Sequence, residues 1–538
     1  MDLSTWACRC LWEKLRQFLL LFFQQVRIAE NCMYPIDFFY RAARLYPQRE
    51  ALVSGREVLT YAELAGRVNA AACALQALDA QPGSRVGICA GNTVDHVVAL
   101  LAVLAAGKVW VPLNWRNPAA ELNRIIEFTA PSIVVAEPAH LGTLDLSNVQ
   151  AVALGECAGT PLLAALAQAQ QGRMPTPHQR SRDEAQAIKF TGGSTGVPKG
   201  VMQPYRAWVA TLVNQIQAFG FDAGDRYLVS APVTHGTSTY LLPILAQGGC
   251  HVLPASNKPA ELLRSFREDG ITTTFMPPTL LYMLVAEAHG ERLHLPRLKH
   301  LIYGGAPMPP EKIRSVRECF GPVLETTYGQ TEAPQVVSIM RAEDFADEAN
   351  WRSVGRQGLL ADMAIMDPQG RLLPAGEAGE IVVRGDLVMS GYWKMPEKTA
   401  ETIVDGWLHT GDRGYVDERG YLFLKDRLRE VVITGGFNVY PIDVESVLDQ
   451  HPAVHESAVF GIEDDKWGEA VHAAIQRKPG AQVDERQLIA FAKEHLGSVK
   501  TPKAIHFYDD LPRSVAGKVH KVTLKADITR KLREETNA

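Results

Sequence analysis

The sequence has no basic excess. Its 55 Lys and Arg are outnumbered by 60 Asp and Glu, giving a formal charge of −5, so the electrostatic footprint of a nucleic-acid binder is missing. The eight cysteines, at positions 8, 10, 32, 73, 89, 157, 250 and 319, include no CxxC pair. Cys8-x-Cys10 has no second pair to complete a zinc site, and free thiols in a reducing cytosol are expected, with a cytoplasmic location. Near the N terminus, FLLLFF is far shorter than the roughly 20 apolar residues that a bilayer demands. QQVRIAE, which follows it, offers no small-x-small cleavage site. No internal repeat is visible.

What is present is the composition of a large globular protein. With 46% hydrophobic and 21% charged residues in 538, several domains with their own cores are feasible. Residues 1–32 stand apart. Leu11, Leu15, Phe18, Leu19, Phe22 and Val26 share one helical face, flanked by Arg9, Lys14, Arg16 and Arg27. Three readings stay open: an interfacial amphipathic anchor touching a membrane, a helix packed on the body, or a start codon chosen too far upstream. The last two carry more weight. From Pro35 to about Arg180, strand and helix patterns alternate: a hairpin from ALV and EVLTY feeding a helix, strand–helix–strand over RVGICAG to VWVPL, and short buried strands at IVVAEP and VQAVAL. That alternation predicts an α/β domain with largely parallel sheets. Residues 168–186 form a polar surface loop leading into the strand AIKF.

The chain is organised around FTGGSTGVPKGVM, residues 190–202. Glycines let backbone N–H groups approach a polyanion, and successive N–H groups make an anion-binding concavity. Thr191, Ser194 and Thr195 add donors, and Lys199 adds a point charge suited to phosphate. The order Pro-Lys-Gly rules out a Walker A motif. Downstream, His235 follows Ala231-Pro232 on a turn, and Gly304-Gly305-Ala306-Pro307 ends a strand with minimal side chains. ETTYGQTEAP brings Tyr328, Gly329, Thr331 and Glu332 into one turn. Tyr328 is an aromatic platform and Glu332 a hard oxygen ligand fit for Mg²⁺. Asp412, in Thr-Gly-Asp, can accept two ribose hydroxyls, and Arg427 can donate to the same sugar. Residues 352–393 read as a small β-barrel-like subdomain of short strands and Gly turns. SVAGKVHKV carries Lys518 in a short polar turn near the C terminus.

This ordered set resembles the adenylate-forming superfamily of acyl-CoA synthetases, luciferases and peptide-synthetase adenylation domains, over about residues 33–525. The family loop runs Thr-Ser-Gly-Ser/Thr-Thr-Gly-x-Pro-Lys-Gly; Gly192 replaces its Ser, and Gly193 and Gly196 match. The resemblance implies an extension over 1–32, a large AMP-binding domain over 33–426 and a mobile α+β domain over 427–538. It implies a hinge at Arg429, where relatives often carry Lys or Asp, and a passage for the CoA arm at Gly435-Gly436. Thr191 to Lys199 would hold the β and γ phosphates, the 304–307 loop and Tyr328 the adenine, and Glu332 the Mg²⁺. Thr331 would touch the α-phosphate, His235 would neighbour the acyl carboxylate, and Lys518 would enter the active site from the small domain. The expected substrates are ATP, CoA and a small-to-medium aromatic, alicyclic or aliphatic carboxylic acid. No acid follows His235 to pair an amine, so an amino acid is not expected. The substrate pocket is expected near 235–240, 275–280 and 303–307, apolar and without a diagnostic charge. No carrier domain is expected after Lys518, and both monomer and homodimer stay open. The alternative activity is an acyl-adenylate-forming ligase that delivers to a carrier protein or another acceptor.

Overall fold

The computed structural model describes residues 33–191, 199–427, 432–434, 437–439, 441–464, 467–514 and 517–536. The expectations for residues 1–32, for Gly192, Gly193, Ser194, Thr195 and Gly196, for Arg429, and for Gly435 and Gly436 lie outside them.

Helix–strand alternation builds a mixed α/β fold of two large sheets and a third, smaller one. The ALV and EVLTY segments pair antiparallel as Glu50–Ser54 and Glu57–Thr60. Thr60 then caps the helix Tyr61–Leu78, its hydroxyl accepting from the Glu63 amide at 3.2 Å while the Glu63 carboxylate accepts from the Thr60 amide at 2.8 Å. The seven-stranded sheet carries Arg85–Cys89, Val109–Pro112, Ile133–Ala136, Gln150–Ala153 and Ala185–Thr191 in parallel. Lys199–Pro204 and Gly391–Tyr392 close one edge antiparallel. The 14-stranded sheet runs parallel through Arg226–Leu228, Thr273–Met276, His300–Gly304 and Leu324–Tyr328.

Helices between the sheets explain the uniform apolarity of some segments. Every residue of Val94–Ala105 except Asp95 is buried, as expected for a helix covered on all sides. It shares one core with residues of both sheets, including Ile88, Ile133, Tyr227 and Phe275. The run expected as a β-barrel-like subdomain instead adds the antiparallel strands Ser353–Gln357, Asp362–Met366 and Gly379–Arg384 to the 14-stranded sheet, where Trp407–Val416 and Tyr421–Arg427 join them. These pack over a separate core around Ile381, Val383 and Leu408. From Val432 onward a five-stranded sheet with the helices Pro441–Leu448 and Glu485–Lys500 has its own core of Val444, Leu448, Val471 and Leu488.

Candidate active site

The motifs converge because most follow the carboxyl ends of parallel strands, where open α/β sheets leave a crevice. Thr191 ends one strand, Gly304 a second and Tyr328 a third, and His235 follows a fourth. Thr191 and Lys199 are cross-strand partners, so they form the stem of the glycine loop.

The Tyr328–Gln335 turn is tied down on both sides. Gln203, from the strand after the loop, donates Nε2–H to the Thr331 carbonyl at 2.8 Å. The amide of Met389 donates to the Glu332 carbonyl at 2.8 Å, and the Tyr392 hydroxyl donates to Glu332 Oε1 at 2.8 Å. Lys199 Nζ lies 5.3 Å from the centre of the Tyr392 ring. Glu332, Tyr392 and Lys199 therefore form one cluster at the loop stem. No group of three or more His, Cys, Asp or Glu suited to a metal occurs among the described residues. The lone carboxylate of Glu332 suits Mg²⁺, which takes one or two carboxylates and completes its shell with phosphate oxygens and water.

Asp412 is 9% exposed. Its Oδ2 accepts from the Tyr328 hydroxyl at 2.7 Å and from Gln330 Nε2 at 2.5 Å. Arg427 is its cross-strand partner. The Tyr328 ring is buried among Val201, Ala333 and Leu408, so besides facing the site it braces Asp412. Tyr392, Gln330 and Gln203 were not singled out in the sequence. Tyr392 stands in the string SGYW, and the two glutamines carried no signal.

His235 Nδ1 lies 2.9 Å from Thr234 Oγ1. Burial, helped by the positive charges of Lys189 and Arg116, pushes its pKa down to about 4, so the ring is neutral near pH 7. A small recess is lined by Gln203, Trp208, Thr211, Leu212, Ser238, Thr239, Leu242, Pro243 and Pro334, and Ser238 joins it to His235 by donating to the His235 carbonyl at 2.7 Å. This recess overlaps the expected pocket in one segment. Ser238 and Thr239 fall in the 235–240 segment, but segments 275–280 and 303–307 do not line it. A helix missed as a contributor, Tyr205–Phe219, supplies Trp208, Thr211 and Leu212. The surroundings are not free of charge either, because Ser238 Oγ accepts from Lys189 Nζ at 2.8 Å.

The small domain reaches the same crevice. Gly305 has φ +84°, and the Lys518 Cε lies 3.9 Å from where a Cβ on Gly305 would stand. Gly517, with φ +79°, sets its backbone against Thr279 Oγ1, 2.9 Å from the corresponding position. A lysine more than 200 positions downstream in sequence is thus brought to the strand-end loop.

Residues 39–393 match the AMP-binding enzyme family, and residues 443–518 match the AMP-binding enzyme C-terminal domain. The chain belongs to the AMP-binding enzymes. Within this adenylate-forming family it is 34% identical over 493 residues to a feruloyl-CoA synthase of an Amycolatopsis species, covering 91% of this chain and 97% of that one. Its fold is similar to the ATP-bound MatB of Rhodopseudomonas palustris, with a TM-score of 0.84, 30% identity, and 92% and 99% of the two chains covered. It is equally similar to the amide bond synthetase McbA of Marinactinospora thermotolerans, with a TM-score of 0.84, 30% identity, and 92% and 100% covered. No described helix is long and apolar enough to cross a membrane.

Proposed function

We propose that this AMP-binding enzyme is a cytoplasmic, ATP-dependent acyl-CoA ligase. A carboxylate oxygen attacks the α-phosphorus of ATP, the bond to the bridging oxygen breaks, and pyrophosphate leaves. The sulfur of CoA then attacks the acyl carbon, its proton is lost, and AMP leaves with the acyl oxygen. The observation that carries the reading is the seat of Lys518 against Gly305, in the crevice that also holds Thr331, Glu332 and the loop stem.

Two anions must meet in the first step, so catalysis is mainly charge neutralisation and alignment. Lys518 bridges the attacking oxygen and the α-phosphate. Lys199, with Thr191 and the glycine loop, holds the outer phosphates, and Thr331 orients the α-phosphate. Asp412 and Arg427 take the ribose, with Tyr328 and the 304–307 loop on the adenine. Glu332 is the residue that would hold Mg²⁺, whose positive charge offsets that of the phosphates. Neutral His235 lies beside the acid without repelling or trapping it. No general base is needed, because the acid is ionised near neutrality. In the second step the small domain turns about Arg429, withdraws Lys518 and opens the passage at Gly435-Gly436 to the thiol. The two domains thus span 33–426 and 427–538.

The similarity to a feruloyl-CoA synthase favours CoA as acceptor. The similarity to an amide bond synthetase favours the second reading, release of the acyl group from the adenylate to another acceptor. AMP formation measured with an acid panel, with and without CoA, separates the two. Acid-dependent AMP that multiplies with CoA is expected. AMP formation indifferent to CoA would overturn the thioester step, and pyrophosphate–ATP exchange indifferent to any acid would overturn the adenylation step.

A further inference from the structure

Lys189 has no part in the chemistry above. It stands on the strand Ala185–Thr191, 7% exposed, two residues before the loop stem. Taking an ammonium out of water is costly unless an anion or several acceptors replace its hydration. The partners it has fall short of that. Of its three N–H donors, one goes to Ser238 Oγ at 2.8 Å. The rings of Trp110 and Trp208 stand 5.1 and 5.3 Å away, which favours a cation but accepts no strong hydrogen bond. Burial pushes its pKa down to about 7, and no charged group among the described residues offsets the effect. A methionine of similar length would fill the slot between two tryptophans without this cost.

Two of its three neighbours, Trp208 and Ser238, also line the recess joined to His235, the residue read above as lying beside the acid. Trp208 Nε1–H is a second buried donor without an acceptor among the described residues. Ser238 Oγ donates to the His235 carbonyl at 2.7 Å, so its own hydrogen is already engaged. At one wall of the recess the Lys189 ammonium and the Trp208 indole N–H are therefore two donors short of acceptors. We infer that Lys189 sets the choice of acid: the enzyme takes carboxylic acids whose acyl tail carries a second acceptor oxygen, a carboxylate or a ketone, that meets Lys189 and Trp208. The inference rests on the ligase reading above. Of the two sources, the second carboxylate matches better, because it neutralises the buried cation as well as accepting its hydrogens.

The test compares kcat/KM for AMP formation on matched straight-chain acids of several lengths: the monoacid, the acid with a terminal second carboxylate, and the acid with a keto group next to its terminal methyl. The wild type is expected to prefer one of the last two by about 100-fold. Lys189→Met should reverse that preference, mainly through KM, with an unchanged or raised melting temperature. Lys189→Gln, which keeps a donor but no charge, should lose the diacid and retain the oxoacid. A wild type that uses the monoacid as well as the others overturns the inference alone. So does a common loss on all three acids in both variants, the mark of a purely structural lysine. AMP from no acid at all overturns the ligase reading and this inference with it.

Discussion

A carboxylate that is to hold a cation must be kept in one orientation. At Glu332 the Tyr392 hydroxyl fixes one carboxylate oxygen and the Met389 amide fixes the backbone. Glu332→Gln keeps the shape and removes the charge. Adenylation should then fall by about 100-fold at limiting Mg²⁺ and recover in part at high Mg²⁺; an unchanged rate at limiting metal would count against the role. Tyr392→Phe should cost less, roughly 10-fold, because it only loosens the carboxylate. A Mg²⁺ titration of both variants checks the ranking. His235 illustrates a different control, since burial holds it neutral down to a pH of about 4. A change of rate near the ordinary histidine pKa must therefore come from another group.

Among elements, the Tyr328–Gln335 turn decides most. A Cβ on Gly329 would stand 2.5 Å from the Gln335 amide nitrogen and 2.8 Å from the Ala333 carbonyl oxygen. Backbone cannot yield as a flexible side chain does, so Gly329→Ala should destabilise by roughly 1–3 kcal/mol. Because the shift moves Thr331 and Glu332 together, activity should fall further than stability does; melting curves beside kcat would show it. This turn was legible in the sequence because its contiguous residues match the family's Tyr-Gly-x-Thr-Glu string. The alternating strands and helices from Pro35 onward were legible too, since each segment carries its own periodicity. The residues that hold the site in place were not. Gln203, Gln330 and Tyr392 act across distances of 60 or more positions in sequence, and a glutamine in a strand has no local signature. Lys189 did leave one, a charge inside the apolar run AIKF, but its partners come from two helices and a neighbouring strand that only folding brings near. The wall supplied by Tyr205–Phe219 was missed for the same reason. The short strands of residues 352–393 pointed to a small β-barrel-like subdomain without revealing that most of them lengthen the main sheet.

At the scale of the whole molecule, the seam between large and small domains carries its own titration. Burial, then the like charges of Glu445 and Glu456, push Asp449 up to about 8, and its charge is felt by Tyr282 and Lys312 of the large domain. A carboxyl with a folded pKa above its unfolded value near 4 favours folding only while protonated. That contribution is present below pH ~4 and is lost as pH rises towards ~8. Asp449→Asn should match the wild type in acid and gain stability relative to it as pH rises; melts across that range test the sign, and a pH-independent difference would refute it. Across the same seam, Lys518→Ala should slow adenylation by roughly 10²–10³ while leaving thioester formation from a supplied acyl adenylate near wild type. Equal losses in both half-reactions, with an unaltered melting curve, would rule out the two-position reading. The seat of Lys518 at Gly305 has a kinetic consequence as well. In the proposed adenylation step the lysine would act as a tethered reagent, at an effective concentration set by the chain that joins the proposed domains and not by its affinity for the loop. For a flexible tether that concentration falls only as about the −3/2 power of length. A few Gly-Ser residues inserted at 428–431 should therefore slow adenylation gradually, whereas cutting the chain there should make its rate depend on how much of the severed small domain is added.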